Sequence, residues 1–228
     1  MSGNRLNIAT GMGMAFVGGY VDVVGFVLLF GLFVAHATGN LVMLGVALAG
    51  DSGGLATKLL ALPTFVVVAS LAYAFVRSRK ARGLACEALV LGLQALLLTA
   101  FALLTVAATP AAAADRPEVM LAGLAGVAAM AVQNVGARVV FGHLAPTTMM
   151  TGNVTQMAID IVDLVTARGR PDQALRARLV KTWPPVAAFA LGAVGGAAGV
   201  LIAGAWSLLL AVVAVATLAA LHAMSPRQ

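Results

Sequence analysis

Charged residues make up only 10% of this 228-residue chain, too few to clothe a soluble globule of its size. Cysteine is scarcer still: the single Cys86 excludes an internal disulfide and any cysteine-based metal cluster, and reads as a small apolar filler. The signatures of hydrolytic and nucleotide chemistry are missing as well. There is no His-Glu-x-x-His zinc motif, no Gly-x-Ser-x-Gly elbow and no phosphate loop ending in Gly-Lys-Ser or Gly-Lys-Thr, and Gly-Met-Gly-Met-Ala-Phe at 11–16 fails the dinucleotide pattern. These absences point away from an enzyme and from any cofactor or metal requirement.

What is there is apolar. Hydrophobic residues supply 61% of the chain and the mean hydropathy is +1.01, the composition of an integral membrane protein. Apolar runs at about 10–34, 58–76, 84–109, 118–141, 184–200 and 203–223 come close to the roughly 20 residues a helix needs to cross a bilayer. The expected fold is all-α, with six transmembrane helices in a single membrane domain over 1–228. The first run is too long for the core of a signal peptide, its flank from Met1 to Arg5 is weakly basic, and Asp22 interrupts it, so it reads as a span.

The net charge of +6 does not imply nucleic acid, because the positive residues are gathered into two loops, Arg77 to Arg82 and Arg168 to Lys181. The positive-inside rule makes both loops, and with them both termini, cytoplasmic, where the basic side chains meet anionic lipid headgroups. The stretch 110–117 balances Arg116 with Asp115 and the nearby Glu118, and 51–57 carries an acid and no base, so both face outward. This leaves two segments unable to cross. The one at 36–50 starts and ends outside, and the one at 143–167 starts and ends inside, so each dips in and returns or lies along its surface.

Both segments carry Thr-Gly-Asn, at 38–40 and 151–153. The similarity extends outwards: Asp-Val-Val-Gly-Phe-Val-Leu-Leu-Phe-Gly at 22–31 overlays Gln-Asn-Val-Gly-Ala-Arg-Val-Val-Phe-Gly at 133–142, which sets Asp22 opposite Gln133. Downstream, Pro63 aligns with Pro185, and Ser70 and Ala74 with Gly192 and Gly196. Each half then holds three spans, over about 10–109 and 118–223, and an odd number per copy forces the two copies into opposite orientations. The expected architecture is two inverted three-helix repeats, each with a short broken or re-entrant helix starting at Thr-Gly-Asn.

The blocks Gly-Tyr-Val-Asp to Thr-Gly-Asn at 19–40 and Met-Ala-Val-Gln-Asn to Thr-Gly-Asn at 130–153, with the basic loops in register, make the chain similar to the YoaK family of six-span bacterial membrane proteins. The resemblance covers nearly the whole chain. It implies a bacterial cytoplasmic (inner) membrane and at most the movement of small molecules, since that family is a domain of unknown function.

Irregular backbone at membrane depth survives only where protein buries it or a wet cavity borders it. Thr38, Gly39 and Asn40, with Thr151, Gly152 and Asn153, are therefore read as helix starts whose free N–H groups converge on a solute, the alternative being simple caps of surface-lying helices. Asp22 is the strongest single candidate, since a carboxylate in a span costs roughly 2.5–3.5 kcal/mol unless it faces a cavity or a partner. Gln133 and Asn134 place neutral polar groups at the equivalent depth. Arg138 either pairs with Asp22, holds an anion or snorkels to the headgroups, and His36 and His143 flank the two breaks as proton relays or as polar packing. Asp160 and Asp163 suit an interfacial pair with Arg168 or Arg170. The Gly192, Gly195, Gly196 and Gly199 face serves packing within the monomer or in a homodimer. The leading expectation is a secondary transporter of a small polar or anionic solute, proton-coupled through Asp22; a passive channel and a non-transporting scaffold or sensor subunit are the alternatives.

Overall fold

The computed structural model describes residues 3–50, 53–110, 113–168 and 172–225. Among them the regular structure is entirely helical: α1 (Gly3–Leu28), α2 (Gly39–Gly50), α3 (Leu55–Ala81), α4 (Glu87–Ala108), α5 (Pro117–Val139), α6 (Met150–Thr166), α7 (Gln173–Ala203), a short 3-10 turn (Gly204–Ser207) and α8 (Leu208–Met224). In hydrocarbon every backbone N–H and C=O must find its partner within the chain, and a helix does this locally. Five stretches are long and apolar enough to cross a membrane, the architecture of a membrane protein: Arg5–Leu28, Leu55–Ala81, Glu87–Ala108, Pro117–Val139 and Gln173–Met224. The fifth is broken at Gly204, whose φ of 55° is one that a residue with a Cβ rarely adopts.

Helix directions follow from cross-helix contacts. Along α1 and α7, Gly11 lies by Pro185, Gly192 by the Phe16 carbonyl and Gly196 by the Tyr20 carbonyl, so the two helices run parallel. A Cβ at Gly196 would sit 2.6 Å from that Tyr20 oxygen, and only glycine permits so close an approach. The glycine face of α7 thus packs inside the monomer. Along α3 and α5, Gly123 adjoins Thr57 at one end and Lys80 donates to the Val139 carbonyl at the other, again a parallel pair. By contrast α8 runs against α1, with Thr10 bonded to His222 at 2.9 Å and the Tyr20 hydroxyl donating to the Ser207 carbonyl at 3.0 Å. Likewise α4 runs against α5, Val90 facing Gly136 and Phe101 facing Gly126. One end of the bundle therefore gathers the N-termini of α1, α4 and α7 and the C-termini of α3, α5 and α8. The basic residues Arg77, Arg79, Lys80, Arg82, Arg176 and Lys181 lie at that end.

The apolar run at 10–34 is not one helix. It stops at Leu28 because Phe30 and Gly31 adopt φ values of 54° and 77°, which turn the chain back on itself. The returning strand of chain then runs down beside α1, with Val34 against Gly25 and the Ala35 N–H on Asp22. Only from there does α2 start, its 12 residues covering about 18 Å, too little for a crossing. A second return follows α5: 140–149 leads back to Gln133, and the 17-residue α6 then packs along α7. At the other extreme α7 begins at Gln173, well before the apolar run at 184–200, because its first turns are polar and hydropathy does not register them. Asp172 caps it, accepting from the Leu175 N–H at 2.7 Å.

Candidate functional site: a cavity at Asp22

Asp22 lies six residues before the end of α1 and is 5% exposed. Burying a carboxylate there is tolerable because both oxygens are engaged. One accepts the Ala35 N–H at 2.7 Å and the other is bonded to Nδ1 of His36. Both partners come from the returning segment, so the acid is also what holds that segment against α1. His36 sits between the helices, not in one. Its hydrogen bond to Asp22 raises the pKa of the imidazole, against the opposing effect of burial.

Beside this pair opens a cavity of about 510 Å³, between α1, the returning segment, the start of α2 and α7. Its walls are aromatic and aliphatic, notably Phe26, Phe33 and Phe189, and its side-chain polarity comes from Asp22, His36 and Thr38. The ring of Phe33 leans on Phe26 with centroids 4.9 Å apart, and His36 and Phe189 meet edge to face with centroids 5.9 Å apart. A few convergent polar groups in a largely apolar concavity of this size are what small-molecule sites usually offer.

The two Thr-Gly-Asn asparagines face away from it. Asn40, fully buried, accepts the Phe33 N–H at 2.9 Å and donates to the Phe33 carbonyl at 2.7 Å, clasping the chain seven residues back. Asn153 repeats the clasp, again seven residues back, on the carbonyl of Pro146 at 2.8 Å. Neither is a cap: α6 starts at Met150 after Met149, ahead of Thr151, with no side-chain cap. The expected free N–H groups at the start of α2 are also spoken for, since Gly39, Asn40 and Leu41 donate to the carbonyls of His36, Ala37 and Thr38. A family profile described as "Protein of unknown function (DUF1275)" matches residues 10–221.

The chain belongs to the DUF1275 family. No curated protein and no solved structure matches it. The cavity, both returning segments and both clasps of this DUF1275 chain fall inside the matched region.

Of the other residues singled out by sequence, Gln133 is fully buried, donating to the Met14 carbonyl at 2.9 Å and to Thr147 at 3.3 Å and accepting from Gln94 at 2.6 Å. Asn134 accepts from Thr148 at 2.7 Å. Thr147 and Thr148 abut Gly18, one helical turn from Asp22, so the two returns meet α1 within about 6 Å of each other along its axis. Arg138 is exposed at the end of α5, and Asp22 takes His36 as its partner instead, because the returning segment brings the imidazole to it. His143, Thr151 and Gly152 are exposed and do not border the cavity. Asp160 and Asp163 are bridged by Arg178, on the adjoining turns of α7, and not by Arg168; Arg170 lies outside the described residues. Sequence reasoning passed over Phe189 and Gln94. A lone glutamine within the apolar α4 is the kind of signal that marks an interior contact, whereas Phe189 carries none.

Proposed function

We propose that this DUF1275 protein is a secondary transporter of a small polar solute, coupled to protons through Asp22 and His36. The observation that carries the reading is the buried carboxylate–imidazole pair bordering a cavity where an irregular segment meets two packed helices. The fold arrangement suits it. On this reading α7 and α8 cross separately, six helices span the membrane, and both termini lie on the cytoplasmic side with the basic residues.

The packing partners also support inverted repeats over about 10–109 and 118–223. Exchanging α1 to α4 with α5 to α8 turns the α1 and α7 contact into that of α5 and α3, α4 with α5 into α8 with α1, and α2 with α3 into α6 with α7. The paired clasps of Asn40 and Asn153 follow the same exchange. A carrier is favoured over an open pore by the Gln94, Gln133 and Thr147 network, which fills the interior one turn of α1 away from Asp22.

The test is proton movement in proteoliposomes loaded with a pH-sensitive dye and challenged with a panel of small solutes. A solute-dependent pH change that disappears in Asp22→Asn is expected. Solute flux of equal size in Asp22→Asn would overturn the coupling.

A further inference from the structure

The cavity's lining says more about the solute than its size does. Among the described residues no lysine or arginine borders it, and from α1, the returning segment, α2 and α7 the ionisable groups that face it are Asp22 and His36. The one cation an anion would find there, the imidazolium of His36, is already matched by the Asp22 carboxylate. An anion would find no compensation at the start of α2, whose first N–H groups are already bonded within the turn. A cation finds the reverse. The carboxylate attracts it, and the rings of Phe26, Phe33 and Phe189 line a wall that accepts an apolar body and lends itself to cation–π attraction.

We infer that the cavity binds a small organic amine in its ammonium form, with an apolar body against the phenylalanines and the charged nitrogen on Asp22 in place of His36. The inference rests on reading this cavity as the transport site. It also supplies the coupling. A carboxylate hydrogen-bonded to an imidazole favours the imidazolium. When an ammonium group takes over the carboxylate, the imidazolium loses its partner and releases its proton to solvent, so one positive charge enters and one leaves. Nothing is oxidised or reduced and the site's net charge is unchanged, which is the stoichiometry of amine–proton exchange. Thr38, at the rim, offers its hydroxyl to the remaining ammonium N–H.

A head-group series on one ring tests this: benzylammonium, benzyl alcohol and benzoate, added at millimolar concentration to the purified full-length protein in detergent. Thermal unfolding is followed by a thiol-reactive dye on buried Cys86, and proton release by calorimetry in buffers of different ionisation enthalpy. The expected result is stabilisation by benzylammonium alone, with close to one proton released per amine bound. Asp22→Asn, which keeps an acceptor for the Ala35 N–H, should abolish the stabilisation, and Phe189→Leu, which keeps the apolar volume, should weaken binding several-fold. Stabilisation by benzoate in place of benzylammonium, an amine effect that survives Asp22→Asn, binding without proton release, or no shift from benzylammonium would each overturn the inference. The transport reading fails separately. Benzylammonium that binds but never enters proteoliposomes leaves the site assignment standing and removes transport, whereas benzoate-driven proton movement keeps transport and removes the amine.

Discussion

Replacing Asn40 by alanine should destabilise the protein far more than the matching change at Asn153, and the structure says by how much. Asn40 satisfies two backbone groups of Phe33, an N–H and a C=O, with bonds of 2.9 and 2.7 Å. Truncation leaves both without partners in a place with little water. At about 1–3 kcal/mol for each orphaned group, the loss is about 2–6 kcal/mol. Asn153 satisfies one backbone group, the carbonyl of Pro146, since proline has no N–H to offer, and its other contact is a weak one to the Met150 sulfur; the same reckoning gives about 1–3 kcal/mol. Cys86 makes the measurement direct. It is the protein's one cysteine and it is buried, so its labelling by a maleimide dye under native conditions reports the population of opened molecules. With tenfold per 1.4 kcal/mol, Asn40→Ala should label roughly thirty-fold faster than Asn153→Ala for a difference of about 2 kcal/mol. Equal rates, or a faster Asn153→Ala, would refute the idea that these asparagines act as backbone clasps. The clasp also holds the segment that carries His36, so Asn40→Ala should impair solute binding at temperatures where the fold survives.

Two other expectations can be checked with the same labelling or thermal assay. Gly192→Ala pushes a methyl group onto the Phe16 carbonyl and should cost about 1–3 kcal/mol, while Gly195→Ala, whose nearest neighbour is 3.6 Å away, should be close to neutral; similar losses at both would refute the close contact of α1 with α7. The stability difference between wild type and Asp22→Asn should depend on pH. The folded-state pKa of His36 lies above its ordinary 6.5, so the pair's contribution is fully present below 6.5 and fades as pH rises through the raised value. A difference that grows with rising pH would contradict the pairing.

Much of the helical layout was legible because hydrocarbon demands long apolar runs, and those runs locate α3, α4, α5 and α8 within a few residues. Where the sequence misled, side chains and local backbone had overridden hydropathy. Residues 29–34 are as apolar as any helix, yet Phe30 and Gly31 turn the chain and Asp22 collects it through Ala35. The first turns of α7 carry Arg176, Arg178 and Lys181 and were invisible to a hydropathy argument for the opposite reason. At the site, Asp22 stood out as a charge in an apolar run. That His36 would be its partner depended on a fold-back across fourteen residues, which no periodicity announces. The Thr-Gly-Asn triplets fall at the start of α2 and in the first turn of α6. Composition identifies a polar residue at a break, but not which way its amide points, and both asparagines point back along their own chain.

The likeness of the two halves stops at Asp22. Its counterpart by alignment is Gln133, a neutral amide tied to Gln94, Thr147 and the Met14 carbonyl, and no imidazole waits beside it. In a carrier built from inverted copies, the inward-open form arises when the halves trade conformations. Were the halves chemically identical, the two forms would be isoenergetic and the molecule would idle equally on either face. An acid–imidazole latch in one half and an amide network in the other remove that degeneracy. On the proposed topology and function the resting molecule would therefore have a preferred side, and protonation of the latch would be the term that resets which side it is.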